Sequence, residues 1–124
     1  MIVPQLSGAC HCGAIRFVVD APREWLTVCN CSVCRRYRGL WLHSTRAFTR
    51  LDYDPGKVIR YVWNDRSLAF VSCATCGCTT HWEAEGAVEP SSRVCVNAAM
   101  ADPNVVSQFR IRHFDGAETF AYLD

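Results

Sequence analysis

The sequence has little charge, almost no lysine and no long apolar run. Only 20% of its 124 residues are charged and the net charge is +1, so bulk electrostatics do not favour a nucleic-acid partner. No segment approaches the ~20 apolar residues that cross a bilayer. The first residues also lack the basic start and apolar stretch of a secretory signal. We therefore expect a cytoplasmic protein with no membrane partner.

The composition is that of a folded domain. Half of the residues are apolar, and no low-complexity segment or long linker divides the chain. A chain of this length forms one core, yet it is small enough for a bound metal to contribute much of its stability. We predict a single domain over residues 1–124.

Short alternating segments separated by Gly, Pro or Asp predict a mainly β fold. The predicted strands are 14–19, 25–28, 40–44, 57–63, 67–72, 79–84, 93–97 and 108–114. One short helical turn is predicted from Ser32 to Arg38, and Gly39 is expected to end it.

Seven of the nine cysteines form three close groups. The groups are C-x-C, C-x-C-x-x-C and C-x-x-C, formed by Cys10 and Cys12, by Cys29, Cys31 and Cys34, and by Cys73 and Cys76. Thiolates spaced this closely reach a common zinc at about 2.3 Å per bond. Four of them complete one tetrahedral site and three remain, which is the usual ligand count of a catalytic zinc. The sequence therefore predicts two zinc ions.

The middle group is the predicted catalytic centre. One loop supplies Cys29, Cys31 and Cys34, and a helix beginning at Ser32 would favour thiolates at its N-terminus. The following Arg35, Arg36 and Arg38 would offset the negative charge of zinc with three thiolates, or hold the carboxylates of an anionic ligand. They are equally compatible with a solvated basic turn.

The outer groups would clamp distant strands if Cys10, Cys12, Cys73 and Cys76 share one structural zinc. Spacing alone leaves this pairing open, because Cys78 forms another C-x-C with Cys76.

Other residues have more than one interpretation. Cys95 lies in an alternating strand and is expected to be an inert buried thiol. His43 and His81 are expected to be partly buried and satisfied, although either one could carry a proton near the three-cysteine zinc. Trp25 and Trp41 flank the middle group, so one of them could line a pocket.

Three segments of the chain resemble the glutathione-dependent formaldehyde-activating enzyme family. They are GACHCGAIRF at 8–17, CNCSVCRR at 29–36 and CATCG at 73–77, and the resemblance extends over about residues 8 to 115. Members usually carry His where this chain has Asn30, and Thr or a similar residue where it has Cys78.

The resemblance implies a β-tent fold, a twisted arrangement of antiparallel sheets with zinc knuckles. It implies a structural zinc on Cys10, Cys12, Cys73 and Cys76, and a catalytic zinc on Cys29, Cys31 and Cys34. It also implies an enzyme that joins formaldehyde to glutathione, a carbon–sulfur lyase in the reverse direction. Arg35 and Arg36 would then anchor the glutathione carboxylates.

Two other functions are considered. A non-catalytic zinc module for protein or RNA partners gains some support from twelve arginines against one lysine. A methionine-sulfoxide reductase would need a redox thiol outside the zinc sites, and only Cys78 and Cys95 remain for it.

Overall fold

Short strands joined by turns make up most of the molecule. The structure is a computed structural model that describes residues 3–124. Its strands are β1 Gln5–Ala9, β2 Arg16–Asp20, β3 Trp25–Cys29, β4 Trp41–Thr45, β5 Thr49–Asp52, β6 Val58–Val62, β7 Leu68–Cys73, β8 Thr79–Ala84, β9 Arg93–Asn97 and β10 Arg110–Phe114. Its helices are α1 Cys34–Tyr37 and α2 Pro103–Val106, with single 3₁₀ turns at Arg46–Phe48, Pro55–Lys57 and Ala98–Met100.

The strands form two sheets. The smaller sheet has the order β1-β2-β5 and the larger one β10-β3-β4-β9-β8-β7-β6. The mainly β prediction is confirmed. One pair differs from the antiparallel expectation, because β10 runs parallel to β3 with Arg110 opposite Trp25. A parallel neighbour needs a long connection, and most of the chain lies between these two strands.

The larger sheet has two chemically different faces. Successive residues of a strand point to opposite sides, so cross-strand partners share a face. One row of partners across β4, β9, β8, β7 and β6 consists of His43, Cys95, Trp82, Phe70 and Tyr61. This aromatic face lies beneath the loop that carries the middle cysteine group.

The opposite face of the large sheet packs on the smaller sheet. Leu42, Val94 and Val96 are fully buried there against Leu6 and Phe17. Because these two sheets enclose the main apolar core, the aromatic face is left available to line a site.

The predicted helical turn is shorter than expected and ends differently. The helix covers Cys34–Tyr37, and Arg38 rather than Gly39 takes the left-handed conformation, with a φ of 57°. Gly39 is needed for space instead, since a Cβ there would lie 2.5 Å from the Trp41 ring. We expected Gly39 to be the usual glycine at the C-terminal end of the helix. Its close packing against Trp41 instead explains why this position has a glycine.

A second short helix, α2, lies between β9 and β10 and was not predicted. Pro103 occupies its first turn, and the Asp102 side chain accepts a 2.9 Å hydrogen bond from the Asn104 amide. Within residues 3–124 no helix has the length and apolar character to cross a bilayer.

A buried carboxylate links the two sheets. Glu83 on β8 accepts hydrogen bonds from Arg46, from Arg60 and from Tyr53, whose hydroxyl lies 2.6 Å away. His81 Nε2 lies 3.6 Å from the same carboxylate. Burial alone would raise the pKa of Glu83, but His81, Tyr53 and Arg60 outweigh it and hold that pKa well below its usual range.

Two cysteine groups and the candidate active site

The outer cysteines come together in one group of four. Cys10 and Cys12 follow β1, Cys73 ends β7, and Cys76 lies in the turn to β8. Their sulfur atoms all lie within 4.8 Å of one another, with Cys10–Cys12 at 3.7 Å and Cys12–Cys73 at 3.5 Å. Tetrahedral zinc with bonds of about 2.3 Å places its sulfurs about 3.8 Å apart. The group could therefore hold a metal ion, and its spacing fits zinc.

Backbone amides prepare this group for thiolates. The Ile15 amide donates to Cys10 Sγ at 3.3 Å, and the Thr75 amide donates to Cys73 Sγ at 3.4 Å. The backbone N–H groups of Cys12 and Cys78 lower the pKa of the Cys76 thiol to about 5. The Ala14 amide acts on Cys12 in the same direction, but the hydrogen bond with Cys73, burial and the other two sulfurs outweigh it and raise the pKa of Cys12 to about 11.

Two neighbours of this group stay outside it. Cys78 is not among the four clustered sulfurs, and its carbonyl accepts the Cys73 amide at 2.9 Å to close the β7–β8 turn. His11, between Cys10 and Cys12 in the sequence, is exposed.

The middle cysteines form a second group. Cys29 ends β3, Cys31 lies in the loop and Cys34 begins α1, and their sulfurs also lie within 4.8 Å of one another. The Cys34 amide donates to Cys31 Sγ at 3.4 Å, and the helix begins at Cys34 rather than at the predicted Ser32. Among residues 3–124 no further Cys, His, Asp or Glu joins this group. The group could hold a metal ion with three protein ligands.

Cys29 and Cys34 of the middle group differ in acidity. The Cys34 thiol hydrogen-bonds to Cys29 and lowers the pKa of Cys29 to about 6, while the same bond raises the pKa of Cys34. Amides of Cys31 and Gly116 add to the effect on Cys29. Cys29 therefore becomes a thiolate before Cys34.

Two cavities border Cys29 and Cys34. The basic cavity has a volume of about 340 Å³ and is lined by Arg35 and Arg38 beside both cysteines. The aromatic cavity has a volume of about 310 Å³ and also reaches Cys31. Two ligands approaching from different sides can thus reach the same sulfurs.

The three arginines after the middle group are not equivalent. Arg35 and Arg38 line the basic cavity. Arg36 donates to the Ser32 carbonyl at 2.6 Å and borders a separate hollow with Tyr61. The structure therefore places Arg35, but not Arg36, at this cavity, with Arg38 as its companion.

The aromatic cavity lies over the aromatic face of the large sheet. Its ring-bearing lining residues are Trp41, His43, Trp63, Phe70, Trp82, Phe114 and Phe120. The His43 ring meets Trp82 edge-on with centroids 5.7 Å apart. Burial, followed by the charges of Arg93 and Arg23, lowers the pKa of His43 to about 4, so this imidazole is neutral at pH 7.

The remaining predicted residues divide between the two sides of the sheet. Trp41 lines the aromatic cavity, whereas Trp25 lies beside Arg23 and Arg112. His81 is fully buried on the opposite face with Nδ1 2.8 Å from Thr80 Oγ1, away from the three-cysteine group. Cys95 is fully buried, as predicted, and burial raises its pKa.

Residues 115–122 form a segment, here called the C-terminal strap, that closes one side of the three-cysteine group. Asn30 Nδ2 donates to Asp115 Oδ1 at 3.0 Å, and the Ala117 amide donates to Asn30 Oδ1 at 3.0 Å. The Asn30 bond, followed by those of Thr119, lowers the pKa of Asp115. The strap is therefore pinned to the loop between Cys29 and Cys31.

Gly116 of the strap lies against the cysteines. A Cβ at this position would lie 2.7 Å from Cys29 Sγ and 3.2 Å from Cys31 Cβ. Sequence reasoning missed both the strap and this glycine. The only local signal is the Asp115-Gly116 pair, which reads as an ordinary turn.

Comparison with known proteins gives three findings. A family model described as "Glutathione-dependent formaldehyde-activating enzyme" matches residues 5–113. A Halomonas elongata protein named for the same family is 49% identical over 35 residues, which cover 27% of this chain and 22% of that protein. The chain therefore matches only about a fifth of that relative's length.

A solved structure shares the fold. The crystal structure of a Rhodobacter sphaeroides protein matches with a TM-score of 0.67 and 23% identity, covering 86% of this chain and 99% of that one. At this identity the likeness concerns the fold alone.

Proposed function

This chain belongs to the glutathione-dependent formaldehyde-activating enzyme family, and on that premise we propose that it joins a small thiol to a small aldehyde. The thiol is glutathione and the simplest aldehyde is formaldehyde. In the reverse direction the enzyme is a carbon–sulfur lyase. The observation that carries the proposal is the three-cysteine group placed between a basic and an aromatic cavity.

The three-cysteine group is the proposed catalytic zinc site. Cys29, Cys31 and Cys34 supply three of the four ligands of a tetrahedral ion, and no other Cys, His, Asp or Glu of residues 3–124 completes the set. Zinc bound there would act as a Lewis acid that lowers the pKa of a coordinated thiol. Gly116 and the strap keep the protein backbone close on one side, so access is from the cavities.

The basic cavity is the proposed glutathione site. Arg35 and Arg38 beside Cys29 and Cys34 can hold the two carboxylates in two-pronged contacts. This assignment replaces the predicted pair Arg35 and Arg36, because Arg36 is directed to the Ser32 carbonyl.

The reaction needs a bond change and a proton transfer. The glutathione sulfur attacks the aldehyde carbon, a carbon–sulfur bond forms, and the carbonyl electrons move to oxygen. That oxygen takes up the proton that the thiol releases. His43 is neutral and lines the aromatic cavity, so it is the candidate to carry this proton.

The four-cysteine group is the proposed structural zinc site. Cys10, Cys12, Cys73 and Cys76 provide a complete tetrahedral set, and they join the end of β1 to the β7–β8 turn. We propose one domain that carries both ions. We also propose a reducing cytoplasm as its compartment, because seven thiolates must stay free of disulfides.

Turnover of glutathione and formaldehyde by the zinc-loaded protein tests the proposal. The Cys31→Ser variant should stay folded, lose one of two zinc ions and lose turnover. Cys95→Ser is a matched control outside both groups and should keep both ions and activity. Full turnover by folded Cys31→Ser with one zinc would refute the mechanism. A wild-type protein that binds two zinc ions without turnover would support the binding-module alternative.

A further inference from the structure

The aromatic cavity is much larger than formaldehyde requires. Its volume of about 310 Å³ lies at the lower end of the range for drug-sized ligands, roughly 300–1,000 Å³. Formaldehyde has only two heavy atoms. For comparison, a water molecule in the liquid occupies about 30 Å³. A substrate of that size would leave most of the cavity filled by solvent.

The cavity wall is built for an apolar ring. Six aromatic side chains line it, from the loops, four strands and the strap: Trp41, Trp63, Phe70, Trp82, Phe114 and Phe120. Ring-lined cavities favour aromatic ligands, because offset and edge-on ring contacts add to the gain from burial.

The cavity wall has few charged side chains, and one of them packs against an aromatic ring. The Arg93 guanidinium lies 4.9 Å from the Trp82 ring centroid. Asp65 is the one acidic residue among the lining residues. Burial keeps His43 neutral, so the rest of the wall presents rings rather than charge.

The strap completes this wall. Phe120 is 76% exposed at the cavity and meets Phe114 edge-on at 5.0 Å. The family match ends at residue 113, and both of these rings lie beyond it. The family match therefore does not extend to the part of the wall that the strap supplies.

We infer that the electrophile is an aldehyde with an aromatic body, held in the aromatic cavity while its carbonyl carbon faces the three-cysteine group. This inference rests on the proposed function and names the substrate class of that site. The thiol sulfur bonds to the carbonyl carbon, the carbonyl electrons pass to oxygen, and oxygen gains the thiol proton. The product is a hemithioacetal with a bulky aromatic substituent, and no oxidant or reductant is needed.

Two glutathione conjugates test the inference by calorimetric titration of the zinc-loaded full chain. S-benzylglutathione places a ring in the aromatic cavity, and S-methylglutathione places one carbon there. Burial of the ring predicts at least about tenfold tighter binding of the benzyl conjugate. Affinities within about twofold of each other would overturn the inference while leaving the glutathione site intact.

Two variants locate the effect. Phe120→Ala should lower the affinity for the benzyl conjugate about two- to tenfold and leave the affinity for the methyl conjugate unchanged. Phe48→Ala is the matched control, since Phe48 is 51% exposed and lies outside the aromatic cavity. Equal losses for both conjugates in Phe120→Ala would contradict a ring site there.

A further experiment separates failure of the proposed glutathione site from failure of the aromatic-aldehyde inference. If neither conjugate binds, their alkylated sulfur has not replaced the thiolate that the zinc site requires, and phenylacetaldehyde alone decides the aromatic proposal. Nuclear magnetic resonance should then show saturable shifts of the Trp63 indole N–H with phenylacetaldehyde but not with formaldehyde. An indole signal that does not move with phenylacetaldehyde would overturn the inference.

Discussion

Asn30 Nδ2 donates a 3.0 Å hydrogen bond to Asp115 Oδ1, and this contact joins the cysteine loop to the C-terminal strap across 85 positions of sequence. The Ala117 amide returns a bond to Asn30 Oδ1, and Asp115 also accepts the amide and hydroxyl of Thr119. A residue between two proposed zinc ligands therefore determines where the strap lies.

Removal of the Asn30 side chain should release the strap. In Asn30→Ala the Ala117 amide loses its acceptor and Asp115 loses a donor. We expect hydrogen-exchange protection of the Ala117 and Thr119 amides to fall by about tenfold. Gln5→Ala is a matched control, because Gln5 donates a similar 2.7 Å bond to Asp20 on the smaller sheet. Unchanged exchange in the strap of Asn30→Ala would show that Asn30 does not hold it.

Gly116→Ala should affect only the three-cysteine group. The added Cβ would lie 2.7 Å from Cys29 Sγ, a contact that forces the sulfur or the strap to move. Metal analysis should find about one zinc per chain instead of two, with the fold retained. Gly56→Ala is the control, since its Cβ would meet nothing nearer than 3.4 Å. Two tightly held zinc ions in Gly116→Ala would contradict this packing.

Loss of the four-cysteine site should unfold the domain. Structural zinc contributes about 10 kcal/mol or more, which is comparable with the whole stability of a small domain. The Cys73→Ser variant should therefore lack the circular-dichroism spectrum of the folded wild-type protein. Cys78→Ser alters the next cysteine of the same turn but leaves the four sulfurs in place, so it should bind two zinc ions and stay folded. Metal loss in Cys78→Ser would mean that Cys78 is a ligand.

Glu83 should control stability in acid. Its pKa is well below the usual carboxylate value, so at low pH the unfolded state binds the proton first. The stabilisation is complete above about pH 4.3, the usual Glu pKa, and is lost as the pH falls below it. Glu83→Gln should cost about 3–5 kcal/mol at neutral pH, because it leaves two arginines without their carboxylate.

Denaturant unfolding at several pH values measures the Glu83 effect. The free energy of unfolding of the wild-type protein should fall below about pH 4, and that of Glu83→Gln should change less with pH over the same range. Glu85→Gln is the control, since Glu85 also pairs with Arg60 but is 35% exposed. A cost for Glu83→Gln no larger than that for Glu85→Gln would refute the role of the buried network.

Alternation in the sequence predicts most strands well. The predicted bounds of β8 and β9, Thr79–Ala84 and Arg93–Asn97, agree with the structure. β1 and β5 were missed, because Gln5–Ala9 has one fully buried apolar residue and Thr49–Asp52 is largely polar. Their pairing with β2 comes from tertiary contact rather than local pattern.

The cysteine spacing predicts the three-cysteine group, because ligands one to three residues apart can share an ion. Spacing left the pairing of the two outer groups open, and the fold brings their four sulfurs together. The cavities beside these groups are lined by residues that are distant from one another in the sequence. Trp41, Phe70 and Trp82 come from three strands and are brought together by cross-strand register. The parallel pairing of β3 with β10 places Phe114 opposite Cys29 and delivers the strap to the site. Register between such distant segments cannot be read from one sequence.

A cobalt-loaded protein gives the most direct test of the central claim, that the three-cysteine group accepts an external thiol as its fourth ligand. Cobalt(II) bound to thiolates has charge-transfer absorption that grows with the number of sulfurs. Added glutathione should increase this absorption saturably in the wild-type protein, and Cys31→Ser should abolish the increase. An unchanged spectrum with two cobalt ions bound and saturating glutathione present would contradict the account.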